Sequence, residues 1–327
     1  MDFSKSTLLT AIKIDNMISK KKVKKILVDQ NVSRKNDLII SQENVKKNKS
    51  DFLPSIIEFS SSGLCNRKCF FCPRSSPDYE HVNNHLSIKN IEKISEELSS
   101  YNKDFYFLFS GFSEPLLTKH LEDLIGIIRK KHKKSTIEIN TNTDLLNRER
   151  IISLFKSGLT SIRCSIYDNE ERLKEVGKLL EDCGVDKSSY SLRARYFSKD
   201  KDGEKALSEF GINLSNRAGM MENALYSIPA LKEPLKKPCY YPFYNMFIDY
   251  NGDYLICPHD WGKGELLGNI QDHHVINDIW LSDRANEIRS NLLESKREVS
   301  EACKKCDVPG DFMGLEQAKE WRKLWKT

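Results

Sequence analysis

Cys65-Asn-Arg-Lys-Cys69-Phe-Phe-Cys72 follows closely on Ser55-Ile-Ile-Glu-Phe-Ser60, and these two stretches together decide the fold. The run from Ser55 predicts a strand. The cysteine run then packs three thiols into the loop at that strand's C-terminal end, where barrel folds place their active sites. Thiolates this close can grip three irons of a [4Fe–4S] cube and leave the fourth iron without a protein ligand. Zinc stays open on spacing alone: a structural zinc needs four ligands, and His81 and His85 lie near in sequence.

Outward from this point strand and helix patterns alternate. Ser87 is placed to cap a helix running to about Ser100. Residues 105–109 read as a buried strand, and 119–131 as a helix with Leu121, Leu124, Ile125 and Ile128 on one face. Strands over 136–140, 161–166 and 190–196 alternate with helices over 148–156 and 170–181, before a short helix and a strand-like run at 211–215. Such alternation implies a parallel sheet with helices outside. The fold class expected is α/β, a partial (β/α)6 TIM-like barrel; an open doubly wound sheet fits the pattern alone equally.

The rhythm stops near Ala218, and Pro229, Pro234, Pro238 and Pro242 mark irregular chain. Residues 246–250 and 253–257 flank Asn251-Gly252, which predicts a β-hairpin on a type I′ turn with positive φ at both central positions. Helices are expected at about 276–293 and at 315–325. Cys239, Cys257, Cys303 and Cys306 all fall in this half. Four thiolates fully ligate either zinc or a [4Fe–4S] cluster, and spacing does not separate the two. Cys164 and Cys183 stand apart and read as core fillers. The expected organisation is an N-terminal extension over 1–50, a barrel over 51–228, a small β-hairpin/helix domain over 229–312 and a closing helix over 313–327.

Composition narrows the class. With 39% hydrophobic and 30% charged residues the chain reads as a soluble globular protein. No run approaches the ~18 apolar residues of a membrane span. The first 51 residues are polar and lysine-rich with no signal-peptide core, so a cytoplasmic protein is expected. The net charge of +5 gathers in runs at 20–25, 46–49 and 129–134. Without interleaved aromatics these read as solvated faces, and no nucleic-acid partner is expected.

The cysteine trio with Phe71 before its third member, Ser110-Gly-Phe-Ser-Glu-Pro115 after the second strand, and Asn140-Thr-Asn142 at the end of the third resembles the radical S-adenosylmethionine (SAM) superfamily. The resemblance implies that Cys65, Cys69 and Cys72 hold a [4Fe–4S] cluster whose open iron chelates SAM. One-electron cleavage then yields methionine and a 5′-deoxyadenosyl radical that abstracts hydrogen from a substrate carbon. It further implies that the backbone at Gly111, Phe112 and Ser113 and the carboxylate of Glu114 hold the SAM ammonium. The Phe112 and Ser113 side chains would narrow that site, where a second glycine is common. Phe71, Asn140, Asn142, Ser165 and Arg195 complete the implied SAM contacts, the asparagines at the ribose and the last two at the carboxylate.

Residues 247–253, Cys257-Pro-His-Asp-Trp261, Leu267-Gly-Asn-Ile270, Asp278-Ile-Trp280 and Cys303-Lys-Lys-Cys306 are similar to the SPASM/twitch extensions of that superfamily. This implies an auxiliary [4Fe–4S] cluster on the four C-terminal cysteines, fully ligated and suited to accept an electron. His259 is then surplus to ligation. Twitch-type relatives include a dehydrogenase of an aminocyclitol, so oxidation of a small sugar or cyclitol is expected, with a flavodoxin- or ferredoxin-type electron donor. Arg217, in Asn216-Arg-Ala-Gly219, becomes the catalytic candidate, as substrate contact or base. Modification of a ribosomally made peptide and redox-neutral chemistry stay open, as does, from another class, a non-catalytic zinc- or RNA-binding protein.

Overall fold

The computed structural model describes residues 52–196 and 214–325. The expected N-terminal extension and the short helix before residue 211 lie outside the described residues, and 214–215, the described part of the strand-like run, form no strand. Strands β1 (Ile56–Phe59), β2 (Tyr106–Phe109), β3 (Thr136–Thr141), β4 (Ser161–Ile166) and β5 (Tyr190–Ala194) pair in parallel, each with the next. Helices α1 (Ile88–Ser99), α2 (Leu121–Lys131), α3 (Arg148–Ser157) and α4 (Glu170–Asp182) connect them.

On the other edge of β1 lies β6 (Asn245–Ile248), also parallel, with Ile56 opposite Asn245. β7 (Asp253–Leu255) and β8 (Leu266–Asn269) continue antiparallel. The order β5-β4-β3-β2-β1-β6-β7-β8 is an unclosed parallel sheet extended by a hairpin. The hairpin therefore extends the barrel sheet itself: β6 covers the hydrogen-bonding edge that β1 would otherwise expose.

Local chemistry sets the helix starts. The Ser87 hydroxyl accepts from Asn90 N at 3.1 Å, and the Asn147 and Asn169 carbonyl oxygens accept from Arg150 N and Arg172 N, both at 2.8 Å. α2 begins at Leu121, two residues later than expected, because His120 takes φ 57° and cannot join a right-handed helix. The helix expected over 276–293 is two elements, a π-helical turn at Val275–Trp280 and α6 (Asp283–Leu293), because Ser282 caps Ala285 N and restarts the chain. α5 (Tyr241–Tyr244), α7 (Glu301–Lys305) and α8 (Leu315–Leu324) complete the described helices. The hairpin turn is not type I′, since Gly252 takes positive φ and Asn251 does not. The Asp249 carboxylate accepts from Asn251 N (2.8 Å) and Asp253 N (3.1 Å), favouring a three-residue loop with glycine alone in the left-handed position.

The period-2 alternation of the strands divides the core. Ile57, Phe59, Phe107, Phe109, Ile137, Ile139 and Ile162 face outward onto Ile91, Ile94, Leu124, Ile128, Ile151 and Leu180 of the helices. Each such burial contributes about 1.5–3 kcal/mol. Cys164 joins this core and Cys183 packs against it, as expected of the two stray cysteines. The inner face is mixed. Ile56, Tyr106, Leu108, Tyr244 and Met313 plug it. Glu58 accepts from Ser110 (2.7 Å) and Asn245 (2.8 Å), and Glu138 accepts from Tyr106, Ser161 (2.7 Å) and Arg163 (3.2 Å). Among the described residues no helix is long and apolar enough to cross a membrane.

Candidate active site

Cys65, Cys69 and Cys72 lie in the loop behind β1 and form a front cage. Burial pushes all three thiols up, Cys69 to about 12, with Cys72 and Cys65 adding repulsion at Cys69. Backbone N–H groups of Arg67 and Arg74 donate to Cys65 and Cys72, and the Asn142 amide approaches the Cys65 sulfur at 4.0 Å. Cys239, Cys257, Cys303 and Cys306 form a rear cage around a small cavity of about 20 Å³, which Ala218, Tyr241 and His259 also line. Burial raises every thiol there, Cys306 to about 11, and Cys239 raises the other three.

The donor sets fit clusters. Mutually repelling, desolvated sulfurs favour a shared cation, whose binding displaces their protons. Among the described residues no three His, Cys, Asp or Glu side chains converge closely enough to hold a single ion. Thiols spread around a cavity suit a cube, whose irons each take one sulfur, better than one tetrahedral zinc.

Between the cages the backbone takes left-handed φ at Arg217 (49°), Ala218 (53°) and Gly219 (94°). The first two are non-glycine residues held in a costly conformation, of the kind that collects at functional sites. Arg217 Nη1 reaches His259 Nδ1 at 3.2 Å, its charge is felt by Cys72 in the front cage, and the His259 ring meets Tyr241 edge-on at 5.1 Å. Arg217 thus touches a residue that lines the rear cage while its charge reaches Cys72 of the front one.

The residues expected around SAM separate into two groups. Asn140, Ser165 and Asn142 cluster at the ends of β3 and β4, with Ser165 Oγ donating to Asn140 Oδ1 at 3.2 Å. Phe71 lies 5.8 Å from the Tyr167 ring, and Arg195 follows β5, its N–H donating to Ile166 O at 2.7 Å. Ser113 Oγ is buried with no protein partner, so a ligand atom could use it. Glu114 has protein partners of its own. It is 2% exposed, and its carboxylate accepts from Thr141 (2.6 Å), Asn142 N (2.7 Å) and Leu116 N (3.1 Å). These bonds tie its segment to the end of β3, and burial raises its pKa. The Phe112 ring packs on Phe247 and Trp261 at 4.8 and 4.7 Å. Gly111, at φ 78°, has no room for a Cβ, which would lie 2.9 Å from the Phe247 ring.

A model of the radical SAM superfamily matches residues 59–193, and a model of the SPASM iron–sulfur cluster-binding domain matches residues 239–307. The chain is a radical SAM enzyme with a SPASM-type C-terminal domain. The S-adenosyl-L-methionine-dependent 2-deoxy-scyllo-inosamine dehydrogenase of Niallia circulans is 26% identical over 257 residues, 79% of this chain and 94% of that one. The biotin synthase of Methanococcus vannielii is 26% identical over 146 residues, 43% of this chain and 42% of that one. The crystal structure of BtrN in complex with AdoMet and 2-DOIA superposes with a TM-score of 0.64 at 25% identity, covering 81% of this chain and 98% of that one.

Several residues of this radical SAM enzyme escape a reading of spacing. Arg74 is 2% exposed and binds Phe112 O (2.8 and 2.7 Å) and Gly63 O (2.9 Å), so one cation fastens two loops while opposing the upward shift of Cys65 and Cys72. Arg297, 1% exposed, does the same behind the rear cage through Lys237 O (3.0 Å), Val308 O (2.7 Å) and Pro238 O (3.2 Å). Gly310 touches the rear cage directly, since a Cβ there would sit 2.4 Å from Cys239 Sγ at φ 75°. Gly310→Ala is therefore expected to displace that sulfur and lower bound iron from about eight to about four per chain, read by iron and sulfide assay. An unchanged iron count would show that the sulfur yields without loss of ligation.

Proposed function

We propose that this radical SAM enzyme oxidises an alcohol carbon of a small polyhydroxylated metabolite, a sugar or cyclitol, to a ketone. Loss of a hydrogen atom to the SAM-derived radical, of the hydroxyl proton to solvent water and of one further electron to the rear cluster converts the carbinol to the carbonyl. SAM on the reduced front cluster supplies the radical that takes the hydrogen. The observation that carries the reading is Arg217, whose guanidinium meets His259 at the rim of a rear cage with four thiols of its own and whose charge reaches Cys72. A cage with every corner ligated by protein suits an electron acceptor.

Arg217 binds the substrate in this scheme. A guanidinium does not give up its proton in a protein, so it donates to the hydroxyl oxygen and to the charge developing there. Phe71, Asn140, Asn142, Ser113, Ser165 and Arg195 hold SAM, with Glu114 fixing the segment around it. The dehydrogenase relative, named for an aminocyclitol, supports the substrate class. We place the reaction in the cytoplasm with a flavodoxin- or ferredoxin-type donor, in keeping with nine free cysteines.

Anaerobic reconstitution with SAM, dithionite and a panel of cyclitols and sugars tests this. The panel includes 2-deoxy-scyllo-inosamine and scyllo-inositol. We expect 5′-deoxyadenosine together with a product one hydrogen pair lighter, and deuterium from the oxidised carbon in the nucleoside. A product of unchanged mass would mean isomerisation and would end the oxidative reading.

A further inference from the structure

We propose that Arg67 is a positioning residue that fixes the seat of the front cluster and tunes its reduction potential. The proposal rests on Cys65, Cys69 and Cys72 being the ligands of that cluster. Arg67 stands between the first two of them, yet its side chain is spent on the loops behind two other strands. Nε donates to Asp144 Oδ2 at 2.7 Å, and Nη2 donates to Asp144 Oδ1 and to Asp168 Oδ2 and Oδ1 at 2.8 and 3.1 Å. The guanidinium lies 5.4 Å from the centroid of the Tyr167 ring. Asn66 adds a bond to Asp144 Oδ2 at 2.6 Å, and Asn142 adds one to Asn66 Oδ1 at 2.7 Å. The opposite side of the same loop is held by Tyr226 N to Phe70 O (2.9 Å) and Leu225 N to Ser75 Oγ (3.0 Å).

An isolated exposed ion pair would hold little. Here one fork serves two carboxylates, Arg67 and Asp144 are only 21% and 25% exposed, and two asparagines brace the join. Bidentate geometry of this kind adds direction as well as strength. Lysine keeps the charge but not the fork.

Charge gives the second property. Arg67 lies two residues from both Cys65 and Cys69, and the oppositely charged Asp144 is bonded to it. Reduction adds an electron to a cluster, so nearby positive charge favours it and negative charge opposes it. Arg67→Met uncovers two carboxylates and makes the front cluster harder to reduce. Asp144→Asn removes a negative charge and makes it easier. A contact whose only role is structural would move both variants the same way, because both lose the same join.

The test is a mediated redox titration of the full, anaerobically reconstituted chain, following the paramagnetic signal that shifts when SAM is added. The midpoint is expected to fall in Arg67→Met, rise in Asp144→Asn and stay near the parent in Arg67→Lys. In the metal-free chain, backbone amide hydrogen exchange over residues 65–72, read by mass spectrometry, should quicken several-fold in Arg67→Met. Shifts of the same sign in the two charge variants would overturn the tuning role, and unchanged exchange over residues 65–72 would overturn the positioning role. A parent chain with no SAM-responsive signal would overturn the cluster assignment itself.

Discussion

Cys69→Ala is expected to reduce 5′-deoxyadenosine formation to background while the protein stays folded. Cys69 is the middle of three sulfurs that must grip three corners of one cube, and among the described residues no other cysteine lies near enough in the chain to substitute. Its neighbours Cys65 and Cys72 are buried thiols raised by desolvation, and a pair of them has no means of holding the cluster in one orientation. Iron should fall from about eight to about four per chain, leaving the rear cluster's absorbance. The metal-free Cys69 thiol sits at about 12, so it carries its proton at neutral pH and loses it only as the cluster binds. Reconstitution of the parent chain should therefore quicken as pH rises. Cys183→Ala, which touches neither cage, serves as the control. Nucleoside release by Cys69→Ala at the parent rate would mean that the front cage does not bind the cleaving cluster.

What the sequence disclosed follows from distance along the chain. The trio lies within one loop, and the strand–helix rhythm is a local pattern, so both were readable before any coordinate. The partner of β1 was not. Parallel pairing of β6 with β1 joins Ile56 to Asn245, and nothing near either residue announces the other. Arg74, Arg297 and Gly310 are invisible for the same reason. Each matters because a carbonyl or sulfur from a remote stretch comes within reach, as Phe112 O does to Arg74.

Asn251 shows another limit. It sits in a motif whose usual geometry was inferred, and a nearby group competes. The Asp249 carboxylate reshapes the hairpin turn. A motif fixes which residues meet, but the side chains packed around it fix where their polar atoms point.

Cys257→Ala separates the two halves of the chemistry. Cys257 lies just past β7, with its thiol driven up by burial and by Cys303, Cys306 and Cys239. Its loss removes one corner of the rear cage, while Cys65, Cys69 and Cys72 lie in a separate loop behind β1 and keep their own contacts. SAM should still be cleaved, at a reduced rate, because the front cage and the residues around it are intact. The oxidised product should vanish. A substrate radical formed in this variant has lost its hydrogen but has no acceptor for the remaining electron, so it regains hydrogen or decays. The measurable sign is uncoupling: 5′-deoxyadenosine continues to accumulate while ketone does not, against near-equal amounts from the parent chain. Deuterium from the substrate carbon should still reach the nucleoside, since abstraction precedes the electron transfer. Full ketone yield from Cys257→Ala, matched to 5′-deoxyadenosine, would mean that the electron leaves by a route outside the rear cage. Arg217 would then border the cluster's site without linking the substrate to it.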